Sequence, residues 1–395
     1  MKPKIRFKGF EGEWKTSAIG DFTTSFSGGT PTAGASEFYG GNIPFIRSGE
    51  IHESKTELFL TDAGLNNSSA KVVEKGTLLY ALYGATSGEV GISKIKGAIN
   101  QAILAIYPNK TVDKRFLANY LQSHKQKIVG ELLQGGQGNL SGALVKSISV
   151  NYPNNREQQA ISDYVDSLDS QISASTSRLA SLKQMKAASL QAMFPQEGET
   201  VPKIRFKGFE GAWKKVKFSE LYERSSIKND LSFGTDKIIS VANMYFIKNS
   251  RQVDDNYLRS YNIMRLGDIA FEGNKSKNFA HGRLVENTIG DGIVSHVFIV
   301  MKPISKNYDL NFWKYYINNE NIMGNILVRS TKSSTMMTDL VVDDFLKESI
   351  LVPSYEEQIE IGKILTSLDR QISLQSQRLE KLKQIKSACL DKMFV

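Results

Sequence analysis

The chain is 395 residues long, 41% hydrophobic and 23% charged, which leaves room for two or three domains with cores of their own. No window approaches the roughly 20 apolar residues of a membrane span, and the single cysteine, Cys389, excludes a disulfide framework and a cysteine zinc site. The net charge of +9 is spread over both halves, with 21 basic and 18 acidic groups in residues 1–200 and 29 and 23 thereafter; it suits a polyanion such as DNA and equally an ordinary basic soluble protein.

The N-terminus, MKPKIRFKGFEGEWK, has no apolar h-region and does not read as a signal peptide. Together with the lone cysteine this fits a reducing, cytoplasmic setting. Pro3–Lys15 returns as Pro202–Lys214, with Glu13 against Ala212 the one difference. A longer stretch, Pro153–Phe194, returns as Pro353–Phe394 with about half of its positions identical. The layout is therefore short repeat (1–15), variable segment (16–152), long helix (153–195), polar linker with the second short repeat (196–214), variable segment (215–352) and long helix (353–395). No short repeat follows the second long helix. In a circular plan with a pseudo-twofold axis between halves, the N-terminal copy fills that place.

Each variable segment is expected to form an α/β (α+β) domain, β-rich at its centre. In the first, residues 41–51 and 76–108 are β-branched and aromatic runs broken by glycines, which read as short strands and turns. Residues 114–133 have helical spacing through Phe116, Leu117, Tyr120, Leu121, Ile128 and Leu132. A Gly/Asn-rich loop (135–142) and a strand, VKSISVNYP, follow. The second segment repeats the order: strands at 238–246, 267–274 and 292–303, a helix at 310–327, a polar loop at 329–338, and the strand ESILVP.

The long helices carry a heptad seam, spaced by fours and threes: Ile161, Val165, Leu168, Ile172, Leu179, Leu182 and Met193, then Ile361, Leu365, Leu368, Ile372, Leu379, Leu382 and Met393. Each begins after a proline. From Glu157 to Met193 the helix is roughly 55 Å long at about 1.5 Å per residue. An antiparallel pairing into a coiled coil is expected, with the globular domains held apart at its ends. Ser175, Lys186, Gln375 and Lys386 interrupt the seam; they either fix register, meet another subunit, or face solvent.

Catalytic motifs are missing. No Pro-Pro dipeptide exists, so the Asp/Asn-Pro-Pro-aromatic motif of amino-methyltransferases is excluded. GATSGEV (84–90) has neither the spacing nor the lysine of a phosphate loop, and no Gly-x-Ser-x-Gly elbow is present. His52, His124, His281 and His296 lack a second ligand at helix spacing, so no metal site is expected, and His124 reads as a partly exposed packing residue. Glu53-Ser54-Lys55 holds half of a nuclease motif, a common tripeptide.

Polar and basic loops are the candidates for reading DNA. In the first segment these are Arg47, Ser48, Tyr80, Tyr83, Thr86, Ser87, Asn100, Gln101, Gln137 and Asn139. In the second they are Lys275, Lys277, Asn278, His281 and Arg283, with Arg329 and Lys332. Arginine pairs with guanine edges, and asparagine or glutamine with adenine, while lysines meet phosphates. The alternative for each is an ordinary solvated side chain.

Taken together, the tandem plan resembles the specificity subunits of type I restriction–modification systems over its full length. The carriers are PKIRFKGFEGEWK, the Pro-x-x-x-Glu-Gln runs (Pro153, Glu157, Gln158; Pro353, Glu357, Gln358), LDSQISASTSRLASLKQMK with its copy, and the stretches GDIAFEGNKSKNFAHGRLVEN and DGIVSHVFIV. The resemblance implies a subunit without catalysis of its own. Two target-recognition domains each read half of a split site in double-stranded DNA. The helix pair sets the gap and docks two adenine methyltransferase subunits, and two restriction subunits join for cleavage. S-adenosylmethionine, ATP and Mg2+ belong to those partners. Two unlike variable domains lead us to expect an asymmetric target, with readers about one helical turn, roughly 34 Å, apart. A stand-alone DNA-binding regulator or architectural protein, and a coiled-coil scaffold with protein-binding side domains, are the competing readings.

Overall fold

The computed structural model describes residues 2–132, 139–248, 254–277, 279–333 and 337–395. It divides into two compact units, Met1–Thr176 with Arg378–Val395, and Ser177–Gln377. Each unit therefore takes the front of one long helix and the end of the other.

In the first unit a four-stranded antiparallel sheet runs in the order Thr23–Ser27, Ile103–Pro108, Leu78–Ala81, Val90–Ile92. Both its faces are covered. Leu78, Tyr80, Leu104 and Ile106 enter one core with the helix residues Phe116, Leu117, Tyr120 and Leu121. Leu79, Ala81, Ile103 and Ala105 enter a second core with Ile46, Val73 and Ile99. Two-sided burial explains why LLYA and ILAI are continuously apolar instead of alternating. The second core lies against another sheet, ordered Leu58–Leu60, Tyr39–Ile46, Gly97–Ile99, Lys71–Val73, in which Tyr39–Ile46 and Gly97–Ile99 run parallel.

The second unit has the same plan in different residues. Its four-stranded sheet runs Tyr222–Ser225, Ile299–Pro303, Ile269–Glu272, Arg283–Glu286. Ile269, Phe271, Leu284 and Met301 face one core, and Ala270, Val285 and Val300 the other. Asn262–Met264 pairs with Gly292–Val294, and Ile238 bridges Ile293 in parallel. Gly76 and Gly267 turn into the two central strands at φ of 89° and 88°, a conformation that costs a side chain strain.

Three expectations about elements need correction. The helix expected at 114–133 is two, Lys114–Ser123 and Lys125–Leu132, broken at His124, which caps the first and stacks on Tyr120 at 4.2 Å. The helix at 310–327 is also two, Leu310–Tyr316 and Glu320–Ser330, because Asn319 accepts the Asn321 N–H and starts a new helix. The polar loop at 329–338 is mostly ordered secondary structure: Thr331–Ser333 pairs with Thr338–Leu340 as a hairpin. Short strands unseen in the sequence close each unit, Lys15–Ala18 on Ser149–Tyr152 and Lys214–Lys217 on Ser349–Val352.

The long helices are Asn155–Ala192 and Tyr355–Lys392, 38 residues each. Within the first unit Tyr164 meets Cys389, and Lys386 binds Asp169 at 2.6 Å, so the helices run antiparallel. Within the second, Lys186 binds Asp369 at 2.6 Å, and Tyr315 donates to the same carboxylate. Leu168, Leu182, Leu368, Leu379 and Leu382 are buried, and Ile172, Leu179 and Ile372 half-buried. Of the seam's polar interruptions, Ser175 and Gln375 are buried as well, and Lys186 and Lys386 are half-buried. Cys389 is partly buried against the first core.

The short repeats bind both long helices at their ends. Arg6 makes a two-pronged ion pair with Glu157 (2.7 Å on each arm), and Arg205 makes the same pair with Glu357. Both glutamates are 1% exposed. The neighbouring glutamines fasten the variable domains: Gln158 accepts the Asp113 N–H at 2.7 Å, and Gln358 the Asp309 N–H at 3.2 Å. At the helix exits, Ile204 N–H donates to Ala192 O and Ile5 N–H to Lys392 O, each at 2.9 Å. The N-terminal repeat thus occupies, at the end of the second long helix, the place the internal repeat takes after the first. Phe194 packs on Phe312 and Tyr316, and Phe394 on Phe116 and Tyr120.

Removing one member of a buried ion pair strands the other charge, a loss of about 3–5 kcal/mol. Arg6→Met, which leaves the buried Glu157 carboxylate unpaired, is expected to destabilise the chain by about that amount in urea unfolding, and the double variant Arg6→Met/Glu157→Met by less. A single-variant loss under about 1 kcal/mol would contradict the burial argument.

Candidate nucleic-acid interface

The strand ends of the first unit bring several loops together. Leu82, just past Leu78–Ala81, donates to Ala102 O at 2.8 Å and accepts from Leu140 N–H at 2.9 Å. Asn100 N–H donates to Ile46 O at 3.2 Å, beside Arg47. Residues 46–48, 82–88, 100–102 and 139–140 are therefore one continuous edge. On it, Ser48, Tyr83, Thr86, Ser87 and Asn100 are half-exposed, and Gln101 and Asn139 are exposed. Ser87 is anchored to Leu82 O, Asn100 to Ala102 N–H, and Gln101 to Thr30.

Arg47 is held inside this edge by carboxylates. Its guanidinium binds Glu50 at 2.9 Å and Glu57 at 2.6 Å. Burial pushes the Glu50 carboxyl up, but the Arg47 side chain and the N–H groups of Arg47 and Glu57 outweigh it and hold Glu50 at about 2. Glu89, at the far end of the turn, is matched by Lys125 at 2.5 Å and approached by His52 at 3.5 Å.

The second unit builds the equivalent edge differently. Thr338 N–H donates to Gly273 O at 2.8 Å, and Asn274 bridges Met337, so the loop after Ile269–Glu272 lies on the hairpin that carries Lys332. Lys275, Lys277 and Lys332 are exposed there. Asp339 stands opposite Lys332 in the hairpin. Arg283 ties the edge together: it binds Glu272 at 2.8 Å, donates to Ala242 O at 2.6 Å, and lies over the Phe279 ring at 4.9 Å. His281 is half-exposed near Glu320. Among the described residues no group of His, Cys, Asp and Glu is arranged to hold a metal, and no helix is long and apolar enough to cross a membrane.

A family model for the type I restriction modification DNA specificity domain matches residues 11–184 and, again, 211–384. The chain belongs to this family. It is 29% identical to the MjaIX type I restriction enzyme specificity subunit of Methanocaldococcus jannaschii over 40% of this chain and 38% of that one. It is 24% identical to the EcoR124I/EcoR124II specificity subunit of Escherichia coli over 42% and 43%. These two matches span less than half of the relatives' own length. The MjaVIII specificity subunit of M. jannaschii is 20% identical over 96% of this chain and 91% of its own. The fold is shared with the S subunit of a type I system from M. genitalium, with a TM-score of 0.60, 15% identity, and 100% and 99% of the chains covered. The HsdS subunit of Thermoanaerobacter tengcongensis follows at 0.51, 14% identity, and 97% and 96%.

Within the two specificity domains the candidate residues divide clearly. Tyr80 is corrected to a core residue: it is fully buried and points between the sheet and the helices. Its phenol, pushed up to about 12 by burial, has no hydrogen-bond partner among the described residues. Arg283 is a tie between loops, and Arg329 binds Glu348 at 2.7 Å, beside the closing strand Ser349–Val352. Gln137 and Asn278 lie outside the described residues. Sequence reasoning missed Glu57, Glu272, Phe279 and Thr30 as partners, because their pairings are made across strands and loops with no local spacing; it also missed Glu50, whose three-residue spacing from Arg47 was the available sign. The uninterrupted LLYAL run was the available sign that Tyr80 is buried.

Tyr80→Phe is expected to leave DNA affinity within about twofold and to raise stability by about 1 kcal/mol, since it removes an unpaired buried hydroxyl. A large loss of affinity would place Tyr80 at the DNA.

Proposed function

We propose that this chain is the sequence-reading subunit of a type I restriction–modification complex, and that each variable domain reads one half of an asymmetric bipartite DNA site. The observation that carries the reading is that two units of one plan end in unlike loops at the same strand ends. A rigid scaffold with exchanged loops is how one fold acquires different specificities. The half-exposed Ser48, Tyr83, Thr86, Ser87 and Asn100 and the exposed Gln101 and Asn139 in the first half, with the exposed Lys275, Lys277 and Lys332 and the half-exposed His281 in the second, are the proposed DNA-facing residues.

The helix pair sets the gap between half-sites and, with the short repeats, docks two adenine methyltransferase subunits. Supporting this, a groove of about 370 Å³ lies between the first short repeat and Pro153–Asn155, and one of about 600 Å³ lies between the second short repeat and Pro353–Tyr355. A surface present twice suits a partner present twice. Two restriction subunits complete the complex for cleavage. S-adenosylmethionine, ATP and Mg2+ are bound by those partners, and the complex works in the cytoplasm. This chain itself performs no catalysis.

Methylome sequencing of the host is expected to return a two-part target with unlike halves; a symmetric target would sink the reading. Co-purification separates it from a stand-alone regulator, which would come down without methyltransferase subunits. Deleting one heptad from each long helix removes about 10 Å. It is expected to shorten the tolerated gap by about 3 base pairs, and an unchanged gap would contradict the spacer role.

A further inference from the structure

The turn at residues 295–298 of the second unit stands where residues 100–103 stand in the first. Sheet register sets the correspondence. Tyr80, four residues past Gly76, lies opposite Leu104, and Phe271, four past Gly267, lies opposite Ile299. Leu104 thus matches Ile299, and counting back pairs Asn100 with Ser295, Gln101 with His296 and Ala102 with Val297. The same hydrogen bond closes both turns, Ile103 N–H to Asn100 O at 3.1 Å and Phe298 N–H to Ser295 O at 3.0 Å. The first turn brings Asn100 and Gln101 to the edge of its unit, and the second brings His296 and Val297 to the equivalent edge.

The second turn presents an apolar side chain to water. Val297 is 62% exposed, the largest exposure of any large hydrophobic side chain among the described residues, whereas its counterpart Ala102 is buried. The turn is held firmly: Asn262 Nδ2 donates to Phe298 O at 3.0 Å, and Lys228 Nζ donates to Asn262 Oδ1 at 2.7 Å. Beside it the exposed His296 meets Tyr257 edge-on at 6.4 Å between ring centroids, and Tyr257 meets Tyr261 at 5.5 Å. An exposed valine on a fixed turn gains nothing from the fold and gains from covering an apolar group of a ligand. Among base edges in the major groove, that group is the C5-methyl of thymine.

We infer that this turn reads the second half-site, with Val297 packed on the C5-methyl group of a thymine and His296 hydrogen-bonded to a neighbouring base edge. A neutral imidazole brings one donor and one acceptor to that edge. The inference rests on the DNA-reading function proposed above and names residues that perform it.

The test uses the full chain in complex with its methyltransferase subunits and a fluorescent duplex bearing the mapped methylation target. Each thymine of the second half-site is replaced in turn by uracil, which lacks only that methyl group. Uracil at one position is expected to weaken wild-type binding about fourfold, the worth of one buried methyl group. Val297→Ser is expected to cut that loss to under about 1.5-fold. His296→Ala is expected to lower the preference for the correct second half-site about tenfold and to leave the preference for the first unchanged. A wild-type uracil series without effect, a uracil loss that persists in Val297→Ser, or a second half-site without an A·T pair would overturn the inference. The uracil series is read on the unaltered chain, so it stands whether or not a variant folds. A wild-type complex with no preference for the mapped duplex over a scrambled one would instead overturn the DNA-reading function itself.

Discussion

The buried ion pair between the short repeat and the start of each long helix is the constraint on which the rest depends. Arg6 and Glu157, and again Arg205 and Glu357, hold a charge-assisted fork at a site where the glutamate is almost wholly removed from water. An unpaired carboxylate there would be expensive, so the geometry admits few alternatives. One residue further on, Gln158 and Gln358 take the backbone of the segments that start the domain helices, through Asp113 and Asp309. The Pro-x-x-x-Glu-Gln run thus fixes three things at once: where the long helix begins, where the short repeat lies, and how the variable domain is seated.

That seating leaves the loops at the strand ends free to differ. In both units the central strand opens from a left-handed glycine, is buried on its two faces, and delivers its last residue to the loop of interest. The hydrogen bond from Leu140 to Leu82 in the first unit has its counterpart from Thr338 to Gly273 in the second. Beyond those bonds the residues diverge, with Asn100, Gln101 and Asn139 on one edge and Lys275, Lys277 and Lys332 on the other. A fixed frame and altered loops allow one architecture to serve two recognition problems.

The repeats, the seam and the two-domain layout were legible in the sequence because each rests on local periodicity or on near-identity of segments. The circular plan was legible too, and the Ile5 and Ile204 hydrogen bonds are its physical form. The closing strands Lys15–Ala18 and Lys214–Lys217 were not, being short, polar and dependent on partners more than 130 residues away. Helix breaks at His124 and Asn319 lay inside stretches whose apolar spacing continues across them. Among candidate residues, side-chain type alone favoured Tyr80 and Arg283. Burial from both sides of a sheet removed the first, and a carboxylate on the neighbouring strand claimed the second.

The central claim is that each variable domain reads its own half-site and that the frame treats the two alike. Replacing residues 16–152 with a copy of residues 215–352 tests it most directly, because both segments are bounded by the same strand pairing. Methylation mapping of the chimera is predicted to return a symmetric target built from the second half-site twice. Retention of the original first half-site, or a target unrelated to the second, would contradict the account.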